Sequence, residues 1–465
     1  MDAEPGEPVF RGCRGPRGLA LGLAAGLLFG ALALQYLCPE GGQGRCLLRG
    51  LGPASAPDHR PGPAPAPAAP AASRGWAGPE SGDPYLAEDL GPGSGFVARR
   101  RFPASALLRR LDFRIASQDL IVFLHIQKTG GTTFGRHLVR NIRLPQPCRC
   151  LAGQKKCLCL RGGSPSGTGT GQAPPQDTWL FSRFSTGWSC GLHADWTELN
   201  NCVPGLVAGH KQQQQPRGGP AAAAAAGAGG SPRNFYYITI LRDPVSRYLS
   251  EWRHVQRGAT WKASLHVCDG RSPTSEELPS CYTGDDWSGC SLAEFMDCPY
   301  NLANNRQVRM LADLSLVGCY NLSVMPEEER NKVLLDSAQE NLKRMAFFGL
   351  TEFQRKTQYL FEKTFNLSFI SPFTQYNSTR ASSVDIDEET QKRIEALNFL
   401  DMELYDYAKD LFLQRYQFTR QKEHQEARRK RQEQRKIWKA KQVHNKEQDS
   451  TNSTTDYITN VEQWR

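Results

Sequence analysis

The chain has 465 residues, 14 cysteines and a formal net charge of +10. That length allows roughly two or three domains, but long stretches rich in Pro, Ala and Gly exclude a chain that is folded throughout. The cysteine content indicates an oxidising compartment, provided that a membrane segment delivers the chain there.

The N-terminal segment predicts a membrane anchor. Residues 19–37 form an uncharged run rich in Leu, Ala and Gly, which is close to the length of a membrane-spanning helix. Arginines precede this run and few charges follow it, so the positive-inside bias predicts a cytoplasmic tail at 1–18 and a type II orientation. A signal peptide cleaved after the small residues at 31–33 is the alternative.

Residues 38–104 are predicted to be a disordered stem, because a composition rich in Pro, Ala and Gly cannot bury enough apolar surface to offset chain entropy. The folded domain is expected at 105–416, with low-complexity surface loops at 162–175 and 205–232. A short tail, one anchor, a stem and a lumenal domain form the layout of many Golgi membrane enzymes. This layout predicts a location but no chemistry.

The first strand–turn–helix unit of the domain is a candidate anion site. Leu120–Leu124 is predicted to be a buried strand, and a Gly-rich turn leads from it into a helix over Thr133–Val139. Such a unit brings backbone N–H groups and a helix N-terminus to one point, which suits a phosphate. Lys128 adds a mobile positive charge, but it precedes the glycines, so the turn is not a Walker A loop. An ordinary turn between strand and helix is the alternative.

A second unit of the same kind follows the second loop. Phe235–Leu241 is aromatic and β-branched, as a central strand should be. Pro244 suits the first position of the next helix. Arg242 and Ser250 are eight positions apart, so a guanidinium and a hydroxyl on one helix face suit a further phosphate.

The rest of the domain alternates helices with a strand, which predicts a parallel α/β sheet that binds ligand at the C-terminal ends of its strands. Residues 417–465 form a basic tail in which 420–436 has almost no apolar side chains, so we expect a solvated helix or a disordered tail there. A polyanion-binding segment is the alternative for this tail. The remaining predicted elements are helices at 292–296, 304–314, 331–345, 353–365 and 387–416 and a strand at 345–350.

Three segments together resemble the heparan sulfate 6-O-sulfotransferase family. They are His125–Thr133, Phe181–His193 and Leu241–Trp252. The resemblance covers roughly residues 105–416, and the basic tail is most similar to that of the second vertebrate isoform. It implies a P-loop-like sulfotransferase fold, with a central parallel sheet flanked by helices.

The resemblance implies that 3′-phosphoadenosine 5′-phosphosulfate is the sulfuryl donor. The turn would hold the 5′ phosphosulfate, Arg242 and Ser250 would hold the 3′ phosphate, and Lys128 would stabilise the charge on the leaving phosphate. The donor-binding residues implied in this way are His125, Ile126, Gln127, Lys128, Thr129, Gly130, Gly131, Thr132, Thr133, Arg242, Ser250, Thr374, Gln375, Tyr376, Thr379, Arg380 and Ala381.

The implied acceptor is the glucosamine 6-hydroxyl of heparan sulfate, with His193 as the general base. Histidine is suited to this role near pH 7, although chemistry alone leaves His125, His137 and His254 as alternatives. Cationic side chains would match the acidic polymer, and tryptophans would give flat surfaces for sugar rings unless they only pack in the core. The implied acceptor-binding residues are Lys155, Lys156, Arg183, Trp188, His254 and Trp261.

The cysteines are predicted to form disulfides. Cys148, Cys150, Cys157 and Cys159 form a cluster with CxC spacing, whereas zinc knuckles usually have CxxC spacing. The domain has an odd number of cysteines, so one of them is unpaired or pairs outside it. We expect no metal and no nucleic-acid partner, and the oligomeric state is left open. Sequons for N-glycosylation, which agree with a lumenal domain, lie at Asn321, Asn366, Asn377 and Asn452.

Two competing functions are weighed against sulfuryl transfer. A Golgi glycosyltransferase would use Asp385 and Asp387 as a metal-binding DxD motif, but these acids precede a helix that Asp387 is better placed to cap. A non-catalytic glycosaminoglycan-binding protein would rely on basic surface alone.

Overall fold

The computed structural model describes residues 96–161, 178–212, 233–375 and 384–462. The predicted cytoplasmic tail, the anchor at 19–37 and most of the stem lie outside these residues. Within the part of the chain that is described, no helix combines the length and the apolar character needed to cross a membrane.

A four-stranded parallel sheet lies at the centre of the domain, in the order β4-β1-β5-β6. All five side chains of β1 are buried, as expected for a central strand covered by helices on both faces. The predicted parallel α/β class is therefore confirmed, and the strands predicted at 120–124 and 235–241 have the observed bounds. The strands are β1 Leu120–Leu124, β2 Arg149–Cys150, β3 Cys157–Leu158, β4 Leu180–Phe181, β5 Phe235–Leu241 and β6 Phe347–Leu350.

The helices flank this sheet, and their starts follow the capping residues of the sequence. Asp243 caps the helix that begins at Pro244, since its carboxylate accepts from the N–H of Ser246 at 2.8 Å. Short 3₁₀ segments lie at 314–317, 322–324 and 351–353. The α-helices are α1 Ala104–Leu107, α2 Gly131–Arg140, α3 Trp196–Gln212, α4 Pro244–Val255, α5 Leu292–Asp297, α6 Arg306–Leu311, α7 Glu327–Arg344, α8 Gln354–Phe365, α9 Glu388–Leu397 and α10 Phe399–Glu462.

The single helix predicted at 387–416 is wrong in one respect, because it is interrupted at Asn398. The side chain of this buried residue donates to the carbonyl of Ile394 at 2.8 Å and accepts from the N–H of Asn305 at 3.2 Å. The apolar periodicity continues across the break, so a contact with a residue far away in the chain decides it. Beyond the break, α10 continues through the basic tail to Glu462.

Packing of the domain begins before the predicted boundary at residue 105. The guanidinium of Arg100 pairs with Asp406 at 2.8 Å, and its backbone N–H donates to Asp410 at 2.6 Å. Arg99 also pairs with Asp406, at 2.9 Å. The end of the predicted stem is therefore bound to α10 by ion pairs and a hydrogen bond.

The clustered cysteines form the predicted disulfides, and not the zinc site that was the alternative. The two CxC segments form the hairpin β2–β3, and their four cysteines are bonded to one another. Among the described residues Cys290 alone is unbonded, and it is buried, which agrees with the odd cysteine count. The bonds are Cys148–Cys159, Cys150–Cys157, Cys190–Cys202, Cys268–Cys319 and Cys281–Cys298.

Candidate active site

The turn after β1 lies where the C-terminal ends of three parallel strands meet. It reverses direction at Lys128 and Gly130, whose φ angles are 64° and 81°. The guanidinium of Arg242, directly after β5, donates to the carbonyl of Lys128 at 3.3 Å. The hydroxyl of Thr351, directly after β6, lies 2.5 Å from the carbonyl of Thr129 and 3.1 Å from that of Leu241. The turn is thus hydrogen-bonded to the residues that directly follow β5 and β6.

Gly131 opens α2 and is required by a close approach. A Cβ atom at this position would lie 2.4 Å from Cδ2 of His125 and 2.7 Å from its Nε2. The absence of a side chain lets the His125 ring lie across the first turn of the helix. The first N–H groups of a helix have no partner within it, so this arrangement places polar groups of the turn beside a site for an anion.

A continuous series of ring contacts leads away from the turn. His125 stacks on Trp188, with ring centroids 5.8 Å apart, and lies 4.9 Å from the ring of His193. His193 is 5.2 Å from Trp261, which in turn is 5.5 Å from His254. The structure therefore brings the predicted base together with three of the predicted acceptor-binding residues. His137 lies elsewhere, stacked on Phe373 at 4.0 Å.

A hydrogen bond to the turn after β1 fixes the tautomer of His193. Its Nδ1 lies 2.8 Å from the carbonyl oxygen of His125. Because a carbonyl can only accept, Nδ1 carries the proton, and Nε2 of the neutral ring is the acceptor. The φ of 53° at His193 shows that the backbone adopts a left-handed conformation to hold the ring there.

Burial keeps this ring neutral. The pKa of His193 is lowered to about 4, mainly by desolvation and also by the charges of Arg306 and Arg183, while the hydrogen bond to His125 and the charge of Glu251 oppose the shift. The pKa of His125 also lies well below its usual range, mainly because that ring is buried. Both histidines are therefore unprotonated at neutral pH, as a general base must be.

Buried histidines predict a measurable acid sensitivity. Burial lowers the pKa of His266 to about 3, so its neutral ring stabilises the fold fully above pH 6.5, and this stabilisation falls as the pH drops towards 3. At pH 5 the loss is about 2 kcal/mol. The buried carboxyl of Asp195, whose pKa burial raises to about 7, acts in the opposite direction. The measurement is therefore the difference in unfolding free energy between the native chain and His266→Gln.

When the pH falls from 7 to 5, we expect the native chain to lose about 2 kcal/mol more unfolding free energy than His266→Gln loses. Denaturant unfolding at the two pH values measures it. Two parallel pH profiles would contradict the neutral state of this half-buried ring.

Cationic groups border the ring series. The guanidinium of Arg183 lies over Trp188, 5.2 Å from its ring centroid, and donates to the hydroxyl of Thr132 at 3.4 Å. The side chain of Lys156 runs past Gly187, since a Cβ there would be 3.2 Å from its Cδ. Lys155 is exposed beside it, in the connection between β2 and β3. This set gives one positively charged edge next to the aromatic rings.

A buried ion network behind the rings was missed by the sequence analysis. Glu251 accepts from Arg247 at 2.5 Å, from Nε of Arg306 at 2.8 Å and from Nε1 of Trp261 at 3.1 Å. Arg247 and Glu251 share a face of α4 with the buried Tyr248 and Trp252. The sequence signal that could have revealed this network was the presence of two charged residues on an otherwise apolar face of α4. The network holds the Trp261 ring in place.

The remaining predicted positions are more scattered or lie outside the described residues. Ser250 is half-buried in α4, and Thr374 and Gln375 are exposed. The side chain of Gln375 accepts from the first N–H of α8 at 3.0 Å. Among the sequons, Asn366 is exposed, Asn321 is half-buried and Asn452 lies in α10. The predicted positions outside the described residues are Tyr376, Asn377, Thr379, Arg380 and Ala381.

The structure explains the second aspartate of the DxD sequence as a helix cap. The carboxylate of Asp387 accepts from the N–H of Thr390 at 2.7 Å and caps α9. Within the described ranges, the one group of potential metal ligands is Cys268, Asp269 and Cys319. Its two cysteines are joined in a disulfide, so they cannot act as thiolate ligands.

Comparison with known proteins adds the family. Residues 111–408 match the sulfotransferase family. The chain is 70% identical over 445 residues to heparan-sulfate 6-O-sulfotransferase 2 of Gallus gallus, which covers 96% of this chain and 98% of that protein. It is 66% identical over 423 residues to the Homo sapiens protein of the same name, across 91% of this chain and 61% of the relative. It is 68% identical over 330 residues to heparan-sulfate 6-O-sulfotransferase 3 of Homo sapiens, across 71% and 65%.

Proposed function

Because the chain belongs to the sulfotransferase family, and within it to the heparan sulfate 6-O-sulfotransferases, we propose that it transfers a sulfuryl group from 3′-phosphoadenosine 5′-phosphosulfate to the glucosamine 6-hydroxyl of heparan sulfate. The observation that supports this proposal is the hydrogen bond of 2.8 Å between Nδ1 of His193 and the carbonyl oxygen of His125. It joins the base directly to the first residue of the anion-binding turn. A base and a leaving-group site held together in this way suit in-line displacement.

The transfer step divides between these two parts. Nε2 of His193 accepts the proton of the 6-hydroxyl while the sugar oxygen forms a bond to sulfur. The bond between sulfur and the 5′ phosphate oxygen breaks, and the negative charge moves to that phosphate. Lys128 and the N–H groups of the turn stabilise the charge, as fixed donors do in phosphoryl transfer. The products are the 6-O-sulfated polymer and 3′-phosphoadenosine 5′-phosphate.

The acceptor polymer would lie along the ring series and its charged edge. Arg183, Lys155 and Lys156 provide cations for sulfate and carboxylate groups. Trp188 is 37% exposed, so part of its ring is available to a sugar. Acceptor charge close to Arg183 would offset the effect that lowers the pKa of His193 and so strengthen the base.

Trp261 tests the positioning role of the buried ion network. Trp261→Phe keeps an aromatic ring but removes the donor to Glu251. We expect the acceptor KM to rise about threefold to tenfold, which corresponds to a net contribution of about 1 kcal/mol from one hydrogen bond, while the donor KM is unchanged. Steady-state kinetics with each substrate varied in turn measures this. Trp196→Phe, in a ring contact with Tyr237 instead, is the matched control, and an equal effect of both changes would contradict the assignment.

We place this reaction in the Golgi lumen, with residues 19–37 as a single-pass type II anchor. Five disulfides among the described residues support an oxidising compartment, and the exposed sequon at Asn366 is accessible to a glycan. Glycosidase treatment of the chain isolated from cells, together with its co-localisation with a Golgi marker, tests the placement.

The decisive experiment for function is transfer of radiolabelled sulfate to heparan sulfate, followed by disaccharide analysis. Label in 6-O-sulfated glucosamine supports the proposal, and label at another position would overturn it. Thermal stabilisation by 3′-phosphoadenosine 5′-phosphate separates the alternatives, since a glycosyltransferase or a simple polysaccharide binder should not respond.

A further inference from the structure

The basic tail leaves the domain as an exposed helix with a defined orientation. Glu423 accepts from the hydroxyl of Tyr359 and pairs with Lys363, and Glu426 pairs with Arg110 at 3.6 Å. These contacts fix which side of α10 faces the domain. From Ala427 to Val443 every side chain is exposed. This part of the helix lies beyond residues 111–408, which match the family.

One side of this helix carries cations only. Successive residues turn by about 100° around an α-helix, so Arg428, Arg431, Arg435 and Lys439 fall within about 80° of its circumference. Together they form what we name the basic stripe. At a rise of 1.5 Å per residue it extends for about 17 Å along the axis. Glu426 lies about 180° and Glu433 about 160° from the middle of the stripe, and Glu426 pairs with Arg110, so the stripe faces away from the domain.

The stripe also lacks compensating charges. Its neighbour Arg429 pairs with Glu433 at 3.9 Å, whereas no ion pair of the four stripe residues is present within the described part of the chain. Long solvated helices usually mix both charge signs around their surface. A single-sign row with a regular pitch is instead complementary to a linear polyanion.

Apolar side chains decide between a polymer and a membrane surface. Ile437, Trp438 and Val443 are each more than half exposed, at 59%, 61% and 57%. By the same helical geometry they point in three directions, roughly 100° or more apart. A helix that lies in a membrane interface needs one continuous apolar face. The observations therefore favour a soluble polyanion over a lipid surface.

We propose that the basic stripe is a second docking surface for the sulfated polysaccharide, separate from the active site. The inference rests on the proposed function, because the polyanion it commits to is the acceptor. A long chain held by the stripe would reach the active site at a raised effective concentration. A short oligosaccharide that occupies only the active site would gain nothing.

The test compares two variants of the full-length chain with equal loss of charge. The stripe variant is Arg428→Gln, Arg431→Gln, Arg435→Gln and Lys439→Gln combined. The control removes four cations of the same segment that lie outside the stripe, as Arg429→Gln, Lys430→Gln, Lys436→Gln and Lys441→Gln. Helical content from circular dichroism confirms that both variants keep α10. Transfer kinetics use long heparan sulfate and a short oligosaccharide, and heparin binding is measured directly as well.

We expect the stripe variant to raise the KM for long heparan sulfate about tenfold at low salt, with kcat and the KM for the oligosaccharide unchanged. The control should change the long-chain KM much less, and the difference should vanish at high salt, where exposed charges are screened. Equal effects of the two variants, or a stripe variant that loses binding to phosphatidylserine vesicles but not to heparin, would overturn the proposal. If the native chain transfers no sulfate, the proposed function fails, and the heparin-binding arm still decides on the stripe.

Discussion

Replacing His193 with Asn should reduce the kcat for sulfate transfer by about 100-fold to 10,000-fold, the usual contribution of a general base. Binding of 3′-phosphoadenosine 5′-phosphate should be retained, because Arg242 and Thr351 still hold the turn at the carbonyls of Lys128 and Thr129 when the hydrogen bond from His193 to His125 is lost. Asn tolerates the φ of 53° at this position. Transfer kinetics, together with calorimetric titration of the nucleotide, measure the two effects.

His193→Ala should give the same loss of transfer, with some added strain in the fold. His254→Ala is the matched control, because His254 belongs to the same ring series but lies at its far end, beside Trp261. We expect this control to raise the acceptor KM and to leave kcat within a few-fold of native. Near-normal turnover of either His193 variant would show that another group removes the proton.

Replacing Lys128 with Met should lower kcat about 100-fold to 1000-fold, the range seen when one donor to a developing charge is removed. Met keeps the length of the side chain and the left-handed backbone strain at φ 64°, so the change removes the charge alone. The acceptor KM should change little, because Lys128 lies in the turn and not along the ring series. Initial rates with saturating donor and varied acceptor measure both quantities.

Lys128→Arg is the control for charge, and we expect it to recover part of the activity. A Met variant that raises only the acceptor KM would mean that Lys128 binds the polymer, and the assigned role at the leaving phosphate would be wrong. A large fall in the melting temperature of both variants would instead indicate that the turn itself had been disrupted.

Local pattern was sufficient for the two central units of the fold. The strands β1 and β5 are continuous apolar runs bounded by polar turns, so their bounds follow from the sequence. Asp243 and Pro244 specify where α4 begins, because the capping carboxylate, the proline and the N–H group that the carboxylate binds all lie within residues 243–246. The turn at Lys128 and Gly130 was also recognisable, since its glycines and hydroxyls lie side by side in the sequence.

Contacts between distant residues could not be found in this way. The strand β4 has only two residues, Leu180 and Phe181, and it exists because it pairs with β1. The break at Asn398 depends on Asn305, and the placement of Trp261 depends on Glu251. Because these polar groups are buried, each of them needs a hydrogen-bond partner. Packing, and not distance along the sequence, determines which residue that partner is.

The sequence by itself determined that the chain has a parallel α/β domain, a glycine-rich turn suited to an anion and candidate histidines, because these features depend on neighbouring residues. It left four histidines competing for one role. Only the tertiary structure decided which of them has its tautomer fixed beside the turn, by bringing Nδ1 of His193 to the carbonyl of His125 across 68 positions of chain. The physical reason is that a proton on a buried imidazole is located by its hydrogen-bond partner, and that partner is in place only once β1 and the segment between β4 and α3 have packed together.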